Sequence, residues 1–508
     1  MMSKIKSCAL LGIDSYIVDT EIDISMGMVA FDIVGLPDSA VKESKERVRT
    51  AIRNSGFLFP QKRLTVNLAP ADIRKEGPSF DLPIALGILC SSGVLDKDMF
   101  EDFAVTGELS LDGSVKPVNG VLSMVYESLS KGIKNIIVPF DNKNEAALVS
   151  GINIYPAKNL QEIINDFQNS TYSKKFYTSE KTEYEEETEY LDFADVKGQE
   201  NVKRALEIAA AGRHNILIIG PPGSGKTMLA KRLPSIMPPL TFEESIDITK
   251  IYSVSGLLKD KGVLVTKRPF RAPHHTISPS ALTGGGSIPK PGEISLAHNG
   301  VLFLDELPEF PRNVLEIMRQ PLEDRTVTIS RVNGKITYPS DFMLLAAMNP
   351  CPCGYYGYGD KCKCSENKIR QYLGRISGPL LDRIDINIEA SPVNFNQISN
   401  TKKQESSEDI KKRVMKAHAI QAERYKDENI LFNSQLSPNQ IEKYCKLDDA
   451  SLKFMKQAFE KMNLSARAYH KILKMARTAA DLAGEENIKL EHLAEVIRYR
   501  NLDRKFLL

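Results

Sequence analysis

The sequence predicts an α/β protein of several domains built around a parallel sheet, and three observations carry that prediction. The strand pattern Asn215–Ile219 runs into a glycine-rich loop and then into a helical pattern. Two later apolar runs, 301–304 and 342–348, also end abruptly on polar residues. From Ser406 onward the apolar residues recur at helical spacing. Short apolar runs alternating with helical patterns mark strands covered on both faces.

The 508 residues exceed what one core supports, so two to four domains are expected. Hydrophobic residues make up 42% and charged residues 26%, an ordinary balance for a globular protein. No apolar run reaches the roughly 18 residues of a membrane span. The N-terminal Met1-Met2-Ser3-Lys4-Ile5-Lys6 leads into a short apolar stretch that Asp14 interrupts. That is a poor export signal and a good first strand, so a cytoplasmic location is expected. A net charge of +2 does not announce a nucleic-acid binder.

The elements follow in order. Residues 1–168 form an α/β or α+β domain, with strands at Val29–Val34, Arg63–Leu68 and Asn135–Val138. Helices are expected at Ser39–Ser55, with Val41, Val48 and Ile52 on one face, and at Phe80–Leu89. Residues 169–190 are polar and then acidic, and read as a linker. Residues 191–395 carry the parallel sheet. Residues 396–508 are helical, at Ile410–Lys426, Pro438–Tyr444, Ala450–Lys461, Ala466–Ala483 and Leu490–Tyr499, with Ser465 as an N-cap.

The loop Gly220-Pro221-Pro222-Gly223-Ser224-Gly225-Lys226-Thr227 matches G-x-x-x-x-G-K-[ST] in its required strand–loop–helix setting. Glycines let main-chain amides turn inward around phosphates. Lys226 would reach the β- and γ-phosphates of ATP, and the Thr227 hydroxyl would coordinate Mg²⁺. The run Val301-Leu302-Phe303-Leu304 ends on Asp305-Glu306, 85 residues beyond Gly220. Strand tips are where ligands bind in open α/β sheets. Asp305 would hold Mg²⁺, and Glu306 would polarise the attacking water. The strand Phe342–Met348 ends at Asn349, placed to bond that water or the γ-phosphate. A further strand is expected at Asp385–Ala390.

Four of the seven cysteines fall between 351 and 364. Cys351 and Cys353 form one C-x-C pair, and Cys362 and Cys364 form another eight residues on. Four thiolates on one short loop would close a tetrahedral Zn²⁺ shell, which makes a structural site. Reduced thiols and a disulfide are the alternatives.

In this order the motifs resemble the AAA+ ATPases, and within them the magnesium-chelatase-like family called YifB or ComM. The blocks that carry the resemblance are Phe270-Arg271-Ala272-Pro273-His274-His275, Gly284-Gly285-Gly286, and Pro291-Gly292-Glu293-Ile294-Ser295-Leu296-Ala297-His298-Asn299-Gly300. A last block is Gly378-Pro379-Leu380-Leu381-Asp382-Arg383-Ile384-Asp385. The resemblance spans nearly the whole chain. It implies an AAA+ core with a helical C-terminal lid, a hexameric ring, and nucleotide at subunit interfaces. Arg383 then stands at the arginine-finger position, its alternative being a partner for Asp382 or Asp385. Arg467 stands at the second-sensor position in the lid, its alternative being an exposed first-turn arginine. Val327–Tyr338 alternates around Asn333-Gly334, the signal of a type I′ hairpin. In related ring helicases such a hairpin lines the pore, where Lys335 and Arg331 would meet DNA phosphates. Segment 240–299 would hold the helix insertion of this branch, with no chemistry assigned to His274 and His275.

The first domain resembles the proteolytic domain of Lon proteases. Lys75-Glu76-Gly77-Pro78-Ser79 looks like the block with the nucleophilic serine, at Ser79. Gly107–Gly113 and Val115–Gly120 match a second block. Lon's general-base lysine should follow two residues after Gly120, where this chain has Leu122, and Lys116 lies before that glycine. A serine without an adjacent base is a weak nucleophile, so the fold is expected without peptidase activity.

The reading is a Mg²⁺–ATP-dependent ring motor acting on single-stranded or branched DNA. By resemblance it is a helicase for branch migration in recombination and natural transformation. The rivals are a magnesium chelatase subunit, an ATP-dependent Lon-like protease, and a nucleotide-dependent scaffold.

Overall fold

A computed structural model of the chain describes residues 2–177, 191–258, 263–286, 290–331, 334–392, 404–428 and 430–500. The first unit is a seven-stranded mixed sheet in the order Ala30–Val34, Arg63–Ala69, Asp14–Ser25, Met2–Leu11, Phe103–Val105, Asn135–Pro139, Asn153–Ala157. Met2–Leu11 and Asp14–Ser25 pair antiparallel around a two-residue turn, with Leu11 opposite Asp14. The helix Ser39–Asn54 is capped by the Asp38 carboxylate, which accepts the Val41 amide at 2.8 Å. It buries Val41, Val48 and Ile52, the face its periodicity predicts. The helix Asp81–Ser91 is buried throughout. Its one buried charge, Asp81, takes Arg47 at 2.7 Å.

The stretch expected to be linker from residue 169 begins instead as part of this unit. Tyr172 stacks on Phe167, with ring centroids 4.5 Å apart, and the Tyr177 amide donates to the Ile154 carbonyl at 2.8 Å. Two aromatic rings at 172 and 176 supply apolar area that a polar average conceals. Residues 178–190, with the acidic run, lie outside the described residues.

The second sheet has five parallel strands in the order Phe270–Arg271, Val301–Leu304, Met343–Met348, Ile216–Ile219, Ile386–Glu389. Alternate residues feed different cores. Ile216 and Ile218 join one hydrophobic cluster, while Leu217 and Ile219 join the other. Burial on both faces explains why these strands read as unbroken apolar runs.

The C-terminal helices are Ser407–Arg424, Pro438–Tyr444, Asp449–Met462, Ala466–Ala483 and Leu490–Arg498. Ser465 caps the fourth through the Ala468 amide, at 3.2 Å. Ile472 and Ala476 of that helix share one cluster with Ile216 of the sheet and Ala205 of the helix Glu200–Gly212. The lid is therefore continuous with one face of the sheet. Among the described residues no helix is long and apolar enough to cross a membrane.

Within segment 240–299, the helix Phe242–Ser255 carries a capping box between Thr241 and Glu244. It also fastens the second unit to the first. The buried Glu145 carboxylate accepts the Ser253 hydroxyl at 2.5 Å and the Leu122 amide at 3.0 Å, and the Gly120 amide donates to Ser253 Oγ at 2.9 Å. The hairpin pairs Thr326–Arg331 with Gly334–Pro339, with Ser330 opposite Lys335 and Arg331 opposite Gly334. Its turn residues 332 and 333 lie outside the described residues, and so does the side chain of Arg331.

Candidate active site and metal centre

Strand register brings the polar tips together. Ile219 lies opposite Met348, and Leu304 opposite Ala346, so Gly220, Asn349 and Asp305 leave the sheet at the same end. Lys226, at the start of the helix Lys226–Ala230, turns back beneath the loop. Its ammonium donates to the carbonyls of Gly220 at 2.8 Å and Pro221 at 3.0 Å, and to Asn349 Oδ1 at 3.1 Å. Burial pulls this lysine below its ordinary value, opposed by the Asp305 and Glu306 carboxylates. The Thr227 hydroxyl donates to Asp305 Oδ2 at 2.6 Å, and the Glu306 amide to Asp305 Oδ1 at 3.0 Å. A hydroxyl and a carboxylate at that separation are hard oxygen donors of the kind Mg²⁺ takes.

The loop is built for close approach. A Cβ on Gly220 would lie 2.4 Å from the Ala390 carbonyl, so a side chain there would push the loop off the sheet. Ser224 Oγ donates to the Pro221 carbonyl at 2.9 Å. Gly225, at φ +84, opens the helix that carries Lys226 and Thr227. A Cβ on Gly223 would meet nothing within 4 Å, so that side of the loop is open to a ligand. Glu306 takes a left-handed backbone, φ +53, which is uncommon for a non-glycine and concentrates at functional sites.

Two residues at this site carried no role in the sequence reading. His275 Nδ1 stands 3.5 Å from a Glu306 oxygen. Gln199 donates to the carbonyls of Ser224 at 3.1 Å and Ser391 at 2.6 Å, tying the loop to the end of the last strand. The family-like block 270–275 was the available signal for His275. Nothing local marks Gln199.

Arg383 and Arg467 are elsewhere. The Arg383 carbonyl accepts the side-chain amide of Asn215, the residue before the phosphate-loop strand. About 16 Å of strand, at ~3.3 Å per residue, therefore separates it from Gly220. Its guanidinium pairs with Glu323 at 2.6 Å and donates to the Arg319 carbonyl at 3.0 Å, so neither Asp382 nor Asp385 is its partner. Arg467 binds the other oxygen of the same Glu323. The lid arginine expected to sense nucleotide thus does not reach the phosphate loop of the same chain, because it is held at the strand-entry end by Glu323. That end opens into a cavity of about 320 Å³ lined by Glu323, Arg325, Arg383, Arg467, Lys471 and Lys474. Burial draws the Lys471 ammonium down to about 8. Burial opposes ionisation of its partner Asp385, yet Lys471 and His214 hold that carboxyl well below the usual range.

The four cysteines come together. All four sulfurs lie within 4.8 Å of one another, and all four are free thiols. Cys351–Cys353, Cys351–Cys362 and Cys353–Cys362 are 3.4, 3.7 and 3.7 Å apart. A zinc–sulfur bond of about 2.3 Å gives a tetrahedron with edges of about 3.8 Å. A disulfide needs about 2.05 Å. The set therefore fits a four-thiolate metal centre.

In the first unit, Ser79 lies in the turn Pro78–Phe80 and lines a cavity of about 340 Å³ with Glu76, Glu108, Asn119 and, from the second unit, Lys290. Leu122 is buried, its amide held by Glu145. Lys75 points its ammonium at the Ile73 carbonyl, 2.7 Å away.

Residues 192–398 match the family model for magnesium chelatase, subunit ChlI. Residues 20–142 match a second model described as subunit ChlI of Mg-chelatase, and 404–500 its C-terminal model. The chain is 46% identical over 506 residues to competence protein ComM of Haemophilus influenzae, covering 98% of this chain and 97% of that one. It is 42% identical over 506 residues to YifB of Escherichia coli, covering 99% and 98%. Lon protease 2 of Bacillus subtilis is 33% identical over 130 residues, 25% of this chain and 23% of that one.

Proposed function

The chain belongs to the magnesium-chelatase-like AAA+ family of ComM and YifB, and from that premise we propose that it is a Mg²⁺–ATP-driven ring motor, a hexamer, that moves single-stranded or branched DNA in the cytoplasm. The observation that carries the motor reading is the division of the site between the two ends of one sheet. Lys226, Thr227, Asp305, Glu306 and Asn349 converge at the exit end. Arg383 and Arg467 gather at the entry end. A γ-phosphate on the loop can meet those arginines only if a neighbouring subunit supplies them.

Within one subunit the roles follow from position. Lys226 and the loop amides hold the phosphates. Thr227 and Asp305 hold the Mg²⁺, which supplies charge neutralisation at the transferring phosphoryl group. Glu306 stands exposed beyond Asp305 and polarises the attacking water, and Asn349 orients it. Arg383 and Arg467 steady the charge developing on the neighbour's γ-phosphate.

The DNA reading rests on likeness to a competence protein and on the hairpin, where Lys335 is exposed. A chelatase-type ATPase subunit is the second reading, favoured by the family models themselves. A buried Leu122 in the place of a general-base lysine weighs against a peptidase.

One assay separates these. ATPase rate is measured alone, with single-stranded DNA, with a branched junction and with unfolded protein. Stimulation by DNA together with junction dissociation is expected, and Lys335→Ala should weaken that coupling while sparing basal hydrolysis. Stimulation by unfolded protein with cleavage, or no response to any DNA, would sink the DNA reading.

A further inference from the structure

The cysteine loop contacts the phosphate loop through Gly354, and is tied to its surroundings at two further places. Gly354, at φ +86, packs closely against Pro222, the third residue of the phosphate loop. A Cβ there would stand 2.4 Å from Pro222 Cδ and 2.7 Å from Cγ. Asn349, the partner of Lys226, precedes Cys351 by two residues. Tyr358 donates to Glu389 at 2.8 Å, on the strand beside the phosphate-loop strand.

The loop has little of its own to hold that shape. From Cys351 to Cys364 the only helical turn is Gly359–Lys361, and of the four cysteines only Cys351 is buried. Fixing a backbone costs about 1–2 kcal/mol per residue, and few apolar contacts offset it here. The inward-facing groups are sulfurs, with the Tyr356 amide donating to Cys351 Sγ at 3.4 Å. An amide donating to sulfur is a usual support for a metal-bound thiolate.

We propose that a metal ion held by Cys351, Cys353, Cys362 and Cys364, with zinc as the expected ion, braces the nucleotide site by pressing Gly354 against Pro222 and fixing the start of the loop after Asn349. This rests on the motor reading and deepens it by naming what sets the loop. Metal binding displaces the thiol protons to solvent, and its free energy orders the loop. The geometry of Pro222 and Asn349 then depends on occupancy of the thiolate centre. Nucleotide affinity follows the metal without any ligand group reaching the phosphates.

The test uses the full chain. Zinc is counted by elemental analysis, and the centre is checked by cobalt substitution, which gives thiolate-to-metal charge-transfer absorption. Equilibrium binding of a fluorescent ATP analogue is then measured on the loaded protein, on protein stripped by a chelator and on protein reloaded with zinc. One equivalent of metal is expected, with nucleotide affinity about ten-fold weaker after stripping and restored on reloading. Gly354→Ala, which puts a Cβ 2.4 Å from Pro222 Cδ and strains a backbone at φ +86, should weaken nucleotide binding even in protein that elemental analysis shows to be fully loaded with metal; unchanged binding in such loaded protein would also overturn the brace. Metal present with unchanged nucleotide affinity after stripping would overturn the brace while leaving the metal site and the motor standing. Absence of bound metal would overturn the brace and the site together. Failure of the loaded protein to bind nucleotide would overturn the motor reading instead.

Discussion

Arg383 is held 2.6 Å from Glu323, and the second oxygen of that carboxylate holds Arg467. Two arginines from separate segments of the chain thus share one counter-ion, at the end of the sheet away from the phosphate loop. In the proposed ring, both arginines would face the neighbouring subunit from the same side.

Subunit mixing tests that. Arg383→Ala and Lys226→Ala should each lower ATPase by about 10³ when pure, and a mixture should recover activity, because some interfaces join an intact loop to an intact arginine. Arg467→Ala should likewise be rescued by Lys226→Ala. A mixture of Arg383→Ala with Arg467→Ala should stay inactive, since no interface has both arginines on one subunit. Recovery in that last mixture would place the two arginines on different faces.

Glu323 is about half exposed, with a side-chain accessibility of 44%, so solvent screens its two ion pairs. Glu323→Ala should therefore cost under about 1 kcal/mol of stability. Turnover should fall far more than stability, because both guanidinium groups lose the group that aims them. An unchanged kcat would show that the carboxylate positions nothing.

Glu306→Gln should bind ATP normally yet slow hydrolysis by about 10²–10⁴, as expected when a water-activating carboxylate loses its charge. Lys226→Ala should lose binding itself. Equilibrium nucleotide titration beside single-turnover kinetics separates the two, and equal loss of binding in both variants would contradict the assignment.

His298 is buried, and burial followed by the Arg213 charge lowers its pKa to about 4. Its Nδ1 accepts the Asp341 amide at 3.1 Å, which requires the neutral ring. Between about pH 6.5 and pH 4 the unfolded chain binds a proton that the fold excludes, so stability falls with pH through that window. The full shift corresponds to about 3 kcal/mol. Denaturant melts from pH 7 to pH 4 should show the loss, and His298→Asn should flatten it. An equally steep acid limb in that variant would assign the effect to another group.

Glu145 and Ser253 join the two sheets' domains through a buried 2.5 Å hydrogen bond. A double-mutant cycle with Glu145→Gln and Ser253→Ala should give a coupling of about 1.5–3 kcal/mol, the usual range for a bond to a charged group. Strict additivity in chemical denaturation would mean the contact does not fasten the units.

Much of this molecule could be read before folding was considered. The loop Gly220–Thr227, the acids Asp305 and Glu306, and Asn349 all sit where an apolar strand ends. A local transition from buried strand to polar tip is written in consecutive residues. Helices with a clean period were equally plain, as Pro438–Tyr444 and Ala466–Ala483 end where their patterns end. Arg467 was recognisable as a lid residue, but its neighbours were not. Glu323, Gln199 and the contact of Gly354 with Pro222 left no local mark.

Chemistry that lives on contiguous residues was thus decided by the chain alone: a phosphate loop, an acidic strand tip, four thiols on one loop. Which of these groups stand together, and which are held apart at opposite ends of a strand, was decided only when the sheet and the lid packed. The reason is geometric. Strand order and the docking of the Ala466–Ala483 helix are set by burying Ile472 and Ala476 on the face that also buries Ile216, and no short segment contains that information.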